Sequence, residues 1–79
     1  MSPTVFRERG FRFFFFSREE ERMHVHVHCA GGEAKYWLEP RLELATNYGL
    51  SARQLTKIRA IVEEREDELI NAWNAHFRA

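Results

Sequence analysis

A single cysteine, Cys29, leaves the chain no means of forming an intrachain disulfide, which fits a reducing compartment. A charge excess is also missing, because twelve basic side chains offset twelve acidic ones. Bulk charge therefore implies no broad polyanion-binding surface and leaves that role to a local patch. No long apolar run occurs. Phe13 to Phe16 is the longest, far short of the ~20 residues that span a bilayer. The opening Met1-Ser2-Pro3-Thr4-Val5-Phe6-Arg7-Glu8-Arg9 has no signal-peptide pattern. A cytoplasmic location with no membrane partner is expected. Internal repeats and long linkers are absent, and 79 residues fit one domain, 1–79.

What is present is aromatic. Seven Phe, two Trp and two Tyr make 14% of the chain, and each can bury a large area in so short a domain. The front, 1–40, reads as β-rich and the back, 41–79, as helical. Thr4 to Arg9 and Phe11 to Phe16 are rich in β-formers and flank Gly10, which predicts a hairpin. The four consecutive Phe show no polar alternation, so cover on both faces is expected there. A charged loop, Ser17 to Arg22, follows. Met23 to Cys29 alternates at period two, Ala30-Gly31-Gly32 signals a turn, and Glu33 to Leu38 alternates again before Pro40. The simplest sheet is a four-stranded antiparallel meander.

Leu50-Ser51-Ala52-Arg53-Gln54-Leu55 carries a helix start. Ser51 can cap, Gln54 can reach back, and Leu50 can staple to Leu55. Apolar residues recur at helical spacing from Leu55 through Ile58, Ile61, Val62, Leu69 and Trp73 to Phe77. Their stripe lapses near Arg65-Glu66-Asp67, so one long helix or a broken one fits equally. Packing that stripe on the sheet gives an α+β sandwich of two layers.

The chemistry concentrates at His24-Val25-His26-Val27-His28, which holds three of the four histidines. On a strand these imidazoles share one face, with Val25, Val27 and Cys29 on the other. Three readings stay open. Two imidazoles at i and i+2 can converge on one zinc, with Glu33, Glu39 or His76 as a further ligand, but three from one straight strand converge poorly. Acid–base chemistry on RNA needs an imidazole beside charged partners, which Glu33 and Lys35 on the next strand supply, with Arg12 and Arg22 expected nearby. A half-exposed polar face or a protein interface needs neither. No cofactor is implied.

A second pattern runs from Leu44 to Ile58. Ala45, Gly49 and the surrounding apolar residues match helix-turn-helix spacing over 41–60, with Arg53, Gln54 and Lys57 then facing DNA. Pro40 leaves little room for a first helix, and the same residues serve as an ordinary capped helix. The Phe run could stack on RNA bases, although adjacent Phe residues are more often core. Trp37 shares the parity of Glu33 and Lys35. Glu63 to Glu68 reads as a solvated helix surface.

Pro3-Thr4-Val5, Gly10-Phe11-Arg12-Phe13, Arg22-Met23-His24-Val25-His26-Val27, Gly32-Glu33-Ala34-Lys35-Tyr36-Trp37-Leu38-Glu39-Pro40, Asn47-Tyr48-Gly49-Leu50-Ser51 and Ala72-Trp73 follow in order. The chain thereby resembles the small bacterial family catalogued as domain of unknown function four-one-six-zero. His28 is not carried over as a family feature. The resemblance implies a type II toxin–antitoxin-like pair, by gene context, with this chain as the toxin. It transfers no catalytic residues. The partners it implies are a small cognate antitoxin and, for a toxin, RNA; a homodimer suits so small a core. For an enzyme, the expected activity is metal-independent ribonuclease action. His24 and His26 would transfer protons, Glu33 would orient an imidazole, and Lys35 and Arg22 would hold phosphate. The competing expectation is a non-enzymatic interaction or DNA-binding module using Arg53, Gln54 and Lys57.

Overall fold

The computed structural model describes residues 4–16 and 22–77. Five strands come first: β1 (Thr4–Glu8), β2 (Phe11–Phe14), β3 (His24–Cys29), β4 (Gly32–Trp37) and β5 (Glu43–Tyr48). Helices α1 (Ala52–Glu64) and α2 (Glu66–Phe77) follow. The strands pair antiparallel in sequence order, which makes the expected α+β meander. Arg9 (φ 53°) and Gly10 (φ 84°) form the first hairpin turn. Both occupy the left-handed region that a two-residue turn with the sheet's twist requires.

The sheet has one strand more than expected, and the β-rich part reaches Tyr48 rather than residue 40. Lys35 pairs with Thr46 and Tyr36 with Leu44, so Ala45 is an extra residue on β5. Such a bulge interrupts the period-two alternation that marks a strand in sequence. The strand also corrects the helix-turn-helix reading of 41–60. Residues 43–48 are extended and hydrogen-bonded to β4 where a first helix would have to lie.

The helix start matches its sequence signature. The Ser51 side chain accepts from the Gln54 amide at 3.1 Å, and the Gln54 side chain accepts from the Ser51 amide at 2.9 Å. Of the two expected forms, the broken helix is the one present. Arg65 leaves helical geometry (φ −112°, ψ 24°), yet Arg65 N donates to Ile61 O and Leu69 N donates to Arg65 O. The two helices are therefore joined by a kink. Glu66, Asp67 and Glu68 crowd the first turn of α2, where negative charge suits the helix dipole.

One sheet face meets the helices. Phe11, Phe13, Val25, Val27, Cys29, Ala34 and Tyr36 form a continuous core with Ile58, Ile61, Val62, Leu69 and Trp73. Phe13, Phe14 and Phe15 are buried, but Phe16 is 42% exposed, so cover on the Phe run stops one residue short of expectation. The expected charged loop, up to residue 21, lies outside the described residues. Among the described residues no helix is long and apolar enough to cross a membrane.

Candidate functional site

The sheet face opposite the helices carries the charged and aromatic residues, and strand pairing arranges them in rows. One row runs Arg7–Arg12–His28–Glu33–Tyr48 across all five strands. The next runs Thr4–Phe14–His26–Lys35–Thr46, and the third places His24 beside Trp37, with Glu43 beyond. Directly opposed residues in such rows have Cβ atoms about 4.5–5.5 Å apart.

The second and third rows are packed. Phe14 stacks on His26 at 5.5 Å between ring centroids, and Phe16 meets His26 edge-on at 4.3 Å. His24 lies 5.0 Å from His26, 5.5 Å from Trp37 and 5.2 Å from Trp73 of α2. Cations cap these rings. The Arg12 guanidinium sits 4.4 Å from the Phe14 centroid, while Arg22 and Lys35 sit 4.1 and 4.4 Å from that of Trp37. Arg12 also donates to the Thr4 hydroxyl at 2.7 Å. Arg22 donates to the Glu39 carbonyl at 2.9 Å, and the Glu39 carboxylate accepts from the Met23 amide at the same distance. Arg22 thus ties the start of β3 to the segment after β4.

The histidine row divides by exposure. His24 is 1% exposed and His26 9%, and Nε2 of both rings is closed off from solvent. His24 Nδ1 lies 2.7 Å from the Arg22 carbonyl. A carbonyl only accepts, so Nδ1 is the donor in this bond. His28 is exposed. Strand alternation alone puts all three imidazoles on one face. The difference between them comes from Phe14, Phe16, Trp37 and Trp73, which lie outside β3.

Of the residues expected in the site, His24, His26, Glu33, Lys35 and Arg12 share this face, and Arg22 stands at its end. Glu33 opposes His28, not His24 or His26. Arg53 and Lys57 are exposed on α1, and Lys57 lines a separate cleft of about 330 Å³ with Arg9, Phe11, Cys29 and Gln54. The structure does not bring these two to the histidines. Among the described residues no group of three or more His, Cys, Asp or Glu side chains is placed to hold a metal ion. Arg7 and Tyr48 were not legible as site residues. Arg7 follows from pairing across Gly10, but Tyr48 needed the fifth strand to be recognised.

A family model described as "Domain of unknown function (DUF4160)" matches residues 10–74, most of the chain. The chain belongs to this family. The matched segment of this DUF4160 chain includes β2 to β5, the whole of α1 and most of α2, and so nearly all of the open face. No curated protein and no solved structure matches the chain.

Proposed function

We propose that this DUF4160 chain binds single-stranded RNA across the open face of its sheet, as the toxin of a two-protein toxin–antitoxin-like pair in the cytoplasm. The observation that carries the reading is the combination of cations and rings on the sheet face opposite the core, which α2 meets at His24 through Trp73. Arg7, Arg12 and Lys35 share it with Trp37 and the 67%-exposed Tyr48. Single strands are held by this chemistry. Cations follow the phosphates, and bases stack on aromatic faces irrespective of sequence. Glu33 and Glu43 lie on the same face and would oppose a tightly packed duplex backbone. The toxin role rests on the resemblance alone, and a small antitoxin covering this face would silence it.

Fluorescence anisotropy with a labelled mixed-sequence RNA tests the binding, with single-stranded and duplex DNA of the same sequence as comparison arms. The single strands bind and the duplex binds less. Arg12→Ala and Tyr48→Ala weaken binding, and Arg53→Ala and Lys57→Ala do not. Equal weakening by the α1 variants, or no binding to either single strand, overturns the reading. Growth arrest on expression without the neighbouring gene, relieved by co-expression of that gene, tests the toxin role separately.

A further inference from the structure

The sequence pattern puts weight on His24 and His26 for proton transfer, and burial removes it. A general base must come within hydrogen-bond reach of the proton it takes. His24 and His26 have their Nε2 atoms enclosed, whereas His28, one strand step away, is exposed. Its neighbours are those the chemistry needs. Arg12 opposes it on β2 and Glu33 on β4, and Tyr48 stands beyond Glu33 on β5. A carboxylate beside an imidazole accepts its N–H and leaves the other nitrogen as the lone-pair site. A guanidinium binds phosphate through paired donors, and that of Arg12, bonded through Nε to Thr4, lies over Phe14 of the next row.

We propose that the Arg12–His28–Glu33 row is a ribonucleolytic centre in which His28 is the base. The proposal rests on the open face being the RNA-binding face. His28 takes the proton of a ribose 2′-hydroxyl. The 2′-oxygen then forms a bond to the adjacent phosphorus, and the bond from phosphorus to the 5′-oxygen breaks. The departing 5′-oxygen is protonated from water on this open face, and His28 returns its proton to solvent. The products are a 2′,3′-cyclic phosphate and a 5′-hydroxyl, with no co-reactant. Arg12 stabilises the charge that builds on the phosphoryl oxygens. Glu33 is a positioning residue, set by the strand register opposite the ring it would orient. Tyr48 offers a stacking surface for a flanking base.

The test pairs cleavage with binding. Wild-type protein is incubated with labelled mixed-sequence RNA, and the product ends are identified by mass spectrometry. Binding is measured on the 2′-O-methyl form of the same RNA, which lacks the nucleophile. Wild type yields cyclic phosphate ends and leaves the 2′-O-methyl form intact. His28→Gln lowers kcat by about 10²–10⁴-fold, with binding and thermal unfolding unchanged. Glu33→Gln lowers kcat by a smaller factor at unchanged KM, and Glu33→Asp restores part of it. RNA bound but never cut overturns this proposal and leaves the binding reading standing. No binding at all overturns both. Cleavage that survives His28→Gln, or a His28→Gln variant that loses binding together with cleavage, also overturns the assignment of His28 as base.

Discussion

Three imidazoles on one strand sit in different surroundings because their neighbours differ. His24 sits between two indoles with Nδ1 bound to a backbone carbonyl, and it behaves as a core residue that happens to be polar. Truncating a buried ring removes packing and leaves a cavity. His24→Ala should therefore lower unfolding free energy by about 2–4 kcal/mol, while His28→Ala stays within about 0.5 kcal/mol as an exposed change. Urea denaturation followed by tryptophan fluorescence measures both, and equal small costs would disprove a structural role for His24. Tyr36 gives a pH signature. Burial raises its phenol above the ordinary value of 10.0, partly opposed by the nearby charge of Arg59, and its hydroxyl donates to the Leu55 carbonyl at 3.3 Å. The folded state thus holds this proton more tightly than the unfolded chain. That stabilisation is fully present below pH 10 and is lost as pH rises from there through the folded value. Wild type should lose stability steeply above pH 10, and Tyr36→Phe should flatten that slope while costing about 0.5–1.5 kcal/mol at neutral pH. An unchanged alkaline slope in Tyr36→Phe would remove the assignment.

At the scale of elements, the kink between α1 and α2 is clamped to the edge strand β1 by one side chain. Arg65 bonds Glu68 at 2.9 and 2.8 Å and Glu8 at 3.1 Å, and its guanidinium lies 3.4 Å from the Phe6 ring centroid. Desolvation works against its charge, but the hydrogen bonds and charges of Glu68 and Glu8 more than offset that and hold its pKa above the ordinary range. A planar fork and a stacking face are both in use, and lysine supplies neither. The denaturation midpoint should fall from wild type to Arg65→Lys to Arg65→Ala, with amide exchange in β1 accelerating in the same order. If Arg65→Lys matched wild type, charge alone would explain the contact. This clamp is not visible in the sequence, since Glu8 and Arg65 lie 57 positions apart. What was legible is local. Ser51, Gln54 and Leu55 announce the helix start, Gly10 marks the first hairpin, and period two sorts Val25 and Val27 from the histidines. β5 was not legible because Ala45 breaks its alternation, and because the spacing of Ala45, Gly49 and Leu50 imitates another motif. The candidate site was half legible. The face could be read from strand parity, but which imidazole is accessible depends on Phe16, Trp37 and Trp73, and no local pattern ties these to His24 or His26.

For the whole molecule, the decisive quantity is where charge lies, since its sum is zero. A neutral chain attracts polyanions only through a local field, and that field is screened over about 8–10 Å at physiological salt. Binding to RNA should therefore depend on salt as a few-contact patch does. Each neutralised phosphate on a single strand contributes about −0.7 to the slope of log affinity against log salt. Contacts from Arg7, Arg12 and Lys35 together give a slope of about −2. Arg12→Gln should make that slope shallower by about 0.7, and Arg53→Gln and Lys57→Gln, on the helical side, should leave it unchanged. Anisotropy titrations at several salt concentrations measure the four slopes, wild type included. If the slope responds to the α1 cations and not to Arg12, the nucleic acid lies on the helices and the open face has another purpose. If Arg12 moves it and the α1 cations do not, a neutral chain has gathered its working charge on the sheet face opposite its core.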